Sequence, residues 1–371
     1  MKMSGFHKSI FTKKQSRLDH DEIERHGWKI ALRIFLITLS ILLALIISAL
    51  GVYLYMRESG KNSLKNKVTG SPNLGQYDGA ELTSDASVIL YDGTQYQYKE
   101  EMISLLLIGV EPTDEMTAAS ETALSASETA GSIFLLALDT EQNTLSILGI
   151  PGDTMTEIAH DDQAGNLPGN NINPLSLAYA FGDSERKSCE LVSNTVSKLL
   201  YDLPIHGYLS VSASAIEQLT NAVGGISVKI PQDFADLFPE YETNATVTMY
   251  GNEAVQFVQT RSMNTEGYLA RMERQKQFAL ALYYQAKRVM RDHPTLPFTL
   301  YKQLSEQIVT DISRNEAIYL ASQLLSVSSR ADQIQMLDGQ SVSGAVSNEF
   351  YVSEDALFQW ILQTFYTEVT K

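Results

Sequence analysis

Hydrophobic positions along this chain form short apolar runs that alternate with longer amphipathic stretches from about residue 100 onward. The runs Ser104–Val110, Ser132–Asp139 and Thr144–Ile150 are apolar and short, which is typical of buried strands. The stretch Tyr268–Met290 repeats apolar residues at helical spacing and predicts a long helix.

The same pattern continues to residue 366. It predicts helices at Cys189–Leu200, Ser214–Val223, Gly251–Val258 (with Asn252 as its cap), Leu300–Val309, Arg314–Leu325 and Glu354–Tyr366, and strands at Gly207–Ser212, Ile226–Ile230 and Gln333–Leu337. Strands that alternate with helices predict an α/β or α+β layered domain.

The most apolar segment lies near the start of the chain. Ile34 to Met56 is free of charge over 23 residues, and as a helix it would measure about 34 Å, enough to cross a bilayer core of about 30 Å. A cleaved signal peptide is the alternative, although its apolar region is usually only about 7–15 residues long. Eight Lys and Arg residues precede the segment. The positive-inside rule therefore predicts a single-pass cell-membrane protein with a cytoplasmic N-terminus and an extracellular C-terminal domain.

These patterns divide the chain into five predicted parts. They are a cytoplasmic tail (1–33), a transmembrane helix (34–56), a stalk and domain edge (57–100), a main domain (101–295) and a C-terminal extension packed on the same domain (296–371).

Charge narrows the classes of function. The net charge is −16, divided into +4 over residues 1–33 and −20 over the rest. So acidic a domain is unlike nucleic-acid-binding proteins, which rely on a basic face. Cys189 is the only cysteine, which excludes an intrachain disulfide, and no clustered Cys/His motif points to zinc.

One segment gathers guanidinium and amide groups against this acidic background. On the long helix, the spacing i, i+3 and i, i+4 places three of these residues on one face, and guanidinium groups suit phosphate. The alternative is a solvated face neutralised by neighbouring glutamates. The residues concerned are Arg261, Arg271, Arg274 and Gln275.

Two carboxylates follow two neighbouring predicted strands. Glu111 comes after Leu107–Val110, and Asp153 follows Ile150-Pro-Gly. Carboxylate oxygens at adjacent strand ends are able to hold Mg²⁺, but such residues also cap loops and helices.

In chain order, these pieces resemble the LytR–CpsA–Psr family of bacterial envelope proteins. The resemblance covers roughly residues 100–290 and rests on Leu-Leu-Ile-Gly-Val110, Ser-Ile-Leu-Gly-Ile-Pro-Gly-Asp-Thr154, Asn-Ile-Asn173, Ala178-Tyr179, Val223-Gly-Gly-Ile226, Gly251-Asn-Glu-Ala254, and Arg261 with Arg271-Met-Glu-Arg-Gln275.

The resemblance implies a fold and an activity. The expected fold is α/β, an α/β/α sandwich with a central mixed sheet and a lipid tunnel, preceded by one transmembrane helix. The expected activity is Mg²⁺-dependent transfer of a glycopolymer from a polyprenyl pyrophosphate carrier to peptidoglycan. The resemblance assigns catalysis to Asp153, Arg261 and Arg271. It assigns phosphate and lipid binding to Arg261, Arg271, Arg274 and Gln275, and metal binding to Glu111.

Several positions depart from the family pattern. Glu111 stands where the family has aspartate, Thr129-Ala130-Gly131 replaces Arg-Ser-Asp, Gly152 replaces an arginine, and Gln259 replaces the first arginine of an Arg-x-Arg pair. Since one such arginine is worth about 10³-fold or more in phosphoryl transfer, an alternative is a catalytically impaired relative. Such a relative would bind polyprenyl phosphate or glycan as a regulator or scaffold. A purely structural envelope protein is the third hypothesis.

Overall fold

The computed structural model describes residues 43–112, 128–158, 172–262, 265–293, 300, 302–304, 307–327, 334–344 and 348–369. The chain divides into two units, Met1–Glu58 and Ser59–Lys371. In the first unit, residues 43–58 are helical. The predicted tail (1–33) and residues 34–42 of the predicted membrane span lie outside the described residues. Within the described part of the chain, no helix has the length and apolarity needed to cross a membrane.

The second unit begins with helix α1 (residues 59–67) and alternates strands with helices. Its elements to residue 199 are β1 (Ala80–Leu82), β2 (Val88–Tyr91), β3 (Thr94–Tyr98), β4 (Met102–Pro112), β5 (Glu128–Asp139), β6 (Thr144–Ile150), β7 (Met155–Glu157), β8 (Ile172–Pro174) and α2 (Glu185–Leu199). They are followed by β9 (Gly207–Val211), α3 (Ala213–Ala222), β10 (Ile226–Lys229), α4 (Gln232–Leu237), β11 (Thr246–Met249), α5 (Gly251–Gln259) and α6 (Thr265–Asp292). The remainder are β12 (Ile308–Thr310), α7 (Arg314–Ser326), β13 (Ile334–Met336), β14 (Gly339–Ser343), β15 (Asn348–Val352), α8 (Glu354–Phe365) and β16 (Tyr366–Glu368).

A mixed sheet forms the centre of this unit. Over the described residues its strand order is β12-β9-β4-β5-β6-β13. β4 is antiparallel to β5 and parallel to β9, while β6 is antiparallel to β5 and parallel to β13. The predicted α/β class with a central mixed sheet is confirmed.

Alternate residues of the central strands pack against different helices, because side chains in a strand point to opposite faces. Leu106 and Ile108 belong to one buried cluster with residues of α2 and α8. Ile103 and Leu138 belong to another, with Tyr319 of α7 and a leucine of α1. Helices therefore cover both faces, which explains why β4 and β5 read as nearly continuous apolar runs.

A second sheet occupies the region predicted as a stalk and domain edge. Its order over the described residues is β1-β2-β3-β16, and its pairs are antiparallel. Within it, Ile89 of β2 and Tyr98 of β3 are buried. The region 57–100 lacks a long apolar period because its strands are short and several of their residues stay exposed.

Two local predictions were wrong. The N-cap of α5 is Tyr250 rather than Asn252, which is the second residue of the helix. The predicted helix Leu300–Val309 instead ends in strand β12, where Val309 pairs with Ser210 of β9. The β-branched residues of β12 supply an edge strand to the central sheet, and this tertiary pairing overrides the local helical pattern.

Candidate functional site

The candidate site begins at an irregularity where the end of β4 pairs with the start of β5. Gly109 pairs with Ser132, but the next residue, Val110, pairs with Ala130, so Gly131 is the extra residue of a β-bulge. Bulges bend a strand and re-aim the side chains beside them. Glu111 follows directly, opposite Thr129.

Glu111 forms an ion pair with Arg271 of α6. The Arg271 Nη1 atom lies 2.9 Å from Glu111 Oε1 and 3.1 Å from Oε2, so one nitrogen donates to both carboxylate oxygens. The Arg271 side chain is 4% exposed and that of Glu111 is 19% exposed. Charge-assisted hydrogen bonds of this kind are strong, especially where water is excluded.

Gly131 makes room for the Glu111 carboxylate. A Cβ atom added at Gly131 would overlap the carboxylate and Cγ of Glu111. The absence of a side chain at position 131 and the longer side chain at position 111 are therefore complementary. The sequence reveals both departures separately, whereas their contact is visible only in three dimensions.

The end of β6 packs on the same bulge. A Cβ atom added at Gly152 would lie 3.1 Å from the Ala130 carbonyl oxygen and 3.3 Å from Ser176 Cβ. The next residue, Asp153, has its backbone held from the β14–β15 hairpin, because Phe350 N–H donates to its carbonyl oxygen over 2.9 Å. The Asp153 side chain is half-buried. The hairpin is not evident from the sequence, because its two strands have no strong alternation of apolar residues.

Arg274 contacts the end of α5 and α4 rather than Glu111. Its Nε donates to the Phe257 carbonyl oxygen over 2.8 Å, and its two terminal nitrogens contact the Asp233 carboxylate and the Thr260 carbonyl oxygen. Burial lowers the pKa of Arg274 to about 10, which leaves the side chain protonated at pH 7. Its guanidinium thus satisfies backbone carbonyls left over at the carboxyl end of α5.

Gln275 makes the same kind of contact. Its Nε2 donates to the Val258 carbonyl oxygen over 3.1 Å, and the residue is 6% exposed. Arg274 and Gln275 therefore both tie α6 to the end of α5. This geometry favours a structural role for the two residues over the predicted contact with phosphate.

Arg261 follows α5 after an interval of one residue and is half-buried. The structure thus divides the predicted arginine group. Arg271 faces the bulge and Glu111, Arg274 and Gln275 face the end of α5, and Arg261 lies in the connection between α5 and α6.

The described residues do not fit a resident metal ion. Among them, no group of three or more His, Cys, Asp and Glu side chains is placed to hold one. Both oxygens of Glu111, the predicted ligand, accept hydrogen bonds from Arg271. Two carboxylates of the β4–β5 connection and its edge are further candidates from the sequence for the aspartate missing at position 131: Asp114 lies outside the described residues, and Glu128 is exposed at the start of β5.

The chain is similar in sequence to a known protein family and to several of its members. The model of the LytR_cpsA_psr family matches residues 68–363. A polyisoprenyl-teichoic acid–peptidoglycan teichoic acid transferase, TagU of Oceanobacillus iheyensis, is 27% identical over 190 residues, which are 51% of this chain and 53% of that protein. TagV of Bacillus subtilis, which has the same activity in its name, is 24% identical over 264 residues, covering 70% of this chain and 62% of the relative. The chain thus spans little more than half the length of these relatives.

Solved structures support the fold alone. The crystal structure of B. subtilis TagV aligns with a TM-score of 0.54 at 22% identity, covering 71% of this chain and 96% of that one.

Proposed function

Since the chain belongs to the LytR_cpsA_psr family, whose model matches residues 68–363, we propose that it serves the transfer of a cell-wall glycopolymer from a polyisoprenyl carrier to peptidoglycan. The names of its relatives TagU and TagV support this activity. The glycopolymer carrier and peptidoglycan are then its partners.

The observation that carries the proposal is the position of Arg271. Its guanidinium is nearly buried and contacts Glu111, near the end of β4. Gly131 lies near the start of the paired strand β5, and Asp153 follows β6 at the same edge of the sheet. We propose that Arg271 and Arg261 contact the carrier phosphate and that Asp153 is the catalytic carboxylate. Mg²⁺, which the family resemblance implies, has no step in this proposal because the donor set does not fit it.

A second candidate function is recognition of the carrier without transfer. Gly152 and Gln259 favour it, because they stand where the family resemblance expects arginines, and transfer depends on such guanidinium groups more than binding does. In this case the protein is a regulator or scaffold for an active relative.

We also propose that residues 34–56 anchor the protein in the cell membrane, with the second unit outside. The 23 uncharged residues and the basic residues before them support this orientation. Such an anchor would hold the second unit near a lipid carrier in the same membrane.

The test uses the full chain reconstituted in lipid vesicles with a polyisoprenyl pyrophosphate glycan and peptidoglycan. We expect transfer by the wild type and a loss of about 100-fold or more in Arg271→Ala, because one guanidinium on a transferring phosphate is worth about 10³-fold. Arg288→Ala, an exposed arginine of the same helix, is the matched control. Carrier binding without transfer, abolished by Arg271→Ala, would select the second candidate. Absence of both binding and transfer would contradict both.

A further inference from the structure

We propose that Glu111 is an internal competitor for the anion site of Arg271, so that a phosphate ligand binds only after displacing this carboxylate. The inference rests on the proposed function, since the phosphate is that of the polyisoprenyl carrier. It assigns Glu111 a role opposite to that of a metal ligand, because removing Glu111 should strengthen binding rather than weaken it.

The contact has the form of anion recognition. Two carboxylate oxygens lie 2.9 and 3.1 Å from one terminal nitrogen of Arg271. A phosphate presents oxygens to a guanidinium in the same manner. The Glu111 oxygens therefore stand where phosphate oxygens would be bound, and the two anions exclude each other.

Burial makes the competition substantial. Arg271 is 3% exposed as a residue, and a buried cation without a nearby anion is costly. In the absence of ligand, Glu111 supplies that anion and stabilises the folded site. A phosphate ligand must then displace the carboxylate, and its apparent affinity is the intrinsic affinity multiplied by the fraction of molecules in which the pair is open.

Gly131 permits the contact between Glu111 and Arg271 because it has no side chain. The carboxylate lies over the bulge residue, at a point that any Cβ atom at position 131 would occupy. Gly131 lies outside the left-handed region of backbone conformation, so alanine is compatible with its backbone. Gly131→Ala should therefore push Glu111 away from Arg271 without removing its charge.

These contacts permit two variants that open the site by different means. Glu111→Gln removes the negative charge and keeps the side-chain size, whereas Gly131→Ala keeps the charge and displaces the carboxylate. Glu141→Gln, an exposed residue in the β5–β6 turn, is the matched charge control. The probes are a polyisoprenyl monophosphate in detergent and inorganic phosphate, titrated against the full chain.

If the pair is closed in about nine molecules of ten, release tightens binding about tenfold. We therefore expect the dissociation constant for the lipid phosphate to fall about tenfold in Glu111→Gln and to fall in Gly131→Ala, with no change in Glu141→Gln. A parallel gain for inorganic phosphate assigns the effect to the phosphate itself, whereas a gain for the lipid alone assigns it to the carrier as a whole. Either gain supports the competitor.

Three results would overturn the inference. If the wild type binds and Glu111→Gln and Gly131→Ala bind equally well, the proposed function stands but Glu111 does not compete with the ligand. Weaker binding in Glu111→Gln would show that Glu111 assists the ligand. Failure of every variant and of the wild type to bind lipid phosphate would contradict both this inference and the proposed function.

Discussion

At the scale of single residues, two arginines one turn apart on α6 have different partners. Arg271 contacts a carboxylate beside the strand ends. Arg274 contacts the backbone of the preceding helix and lies 5.5 Å above the ring of Phe234. The i, i+3 spacing predicted a shared face for the two residues, but spacing does not show which groups each guanidinium contacts.

Arg274→Ala is expected to destabilise the protein by about 3–5 kcal/mol, the range for breaking a buried charged contact. The substitution removes the partner of the Asp233 carboxylate and of two backbone carbonyls. Urea unfolding of the second unit, followed by circular dichroism, measures the change.

The control for that measurement is Arg288→Ala on the exposed part of the same helix. An Arg274→Ala variant as stable as this control, but unable to bind a phosphate probe, would restore Arg274 to the binding site and contradict its structural role.

At the scale of elements, α1 is clamped to the start of α7. Lys67 Nζ lies 2.8 Å from Asp311 Oδ2, and Ser63 Oγ donates to Glu316 Oε1 over 2.6 Å. Gly60 is buried in this contact. The segment therefore belongs to the folded unit, which the polar composition of residues 57–100 did not reveal.

Gly60→Ala should loosen the clamp. A Cβ atom at this position would overlap the backbone carbonyl of Asn315, and overpacking of this kind costs about 1–3 kcal/mol. That cost exceeds the gain of up to about 1 kcal/mol that alanine normally brings to a helix. Hydrogen exchange of the amides in the first turn of α7 is expected to accelerate about tenfold or more.

Gly51→Ala provides the comparison for Gly60→Ala, because a Cβ atom at Gly51 would meet nothing within 4 Å. It should leave exchange in α7 unchanged. If Gly60→Ala also leaves it unchanged, the close approach of α1 to Asn315 does not constrain α7.

The central strands were the most predictable elements, whereas the β14–β15 hairpin and β12 were not. β4 to β6 are buried on both faces, so their sequences are apolar over most of their length. β12 and the hairpin depend on pairing with distant or exposed segments, and their own residues carry no decisive period. The same limit applied to the site, since the contact between Glu111 and Gly131 joins two strands across a bulge.

At the scale of the whole molecule, charge works against the proposed partner. Residues 34–371 carry a net charge of −20, and a phosphate-bearing glycopolymer is also negative. Raising the salt concentration from about 0.01 to 0.1 M shortens the screening length from about 30 to about 10 Å. We expect the association rate constant for a glycopolymer fragment to rise about threefold or more over that range, because long-range repulsion is screened.

Stopped-flow fluorescence with the full chain in detergent measures this rate. An uncharged oligosaccharide of similar length should show no such dependence. A rate that falls as salt is added would instead indicate attraction by a basic surface, and would contradict the expectation drawn from net charge.

The second sheet, β1-β2-β3-β16, has a consequence for folding during synthesis. Tyr98 of β3 pairs with Tyr366 of β16, so one edge of β3 is completed by residues synthesised long after it. A chain that emerges N-terminus first must hold that edge open until residue 368 is available. Exposed edges invite pairing with other chains, so before β16 is synthesised the open edge of β3 is a site at which a chaperone would prevent mispairing.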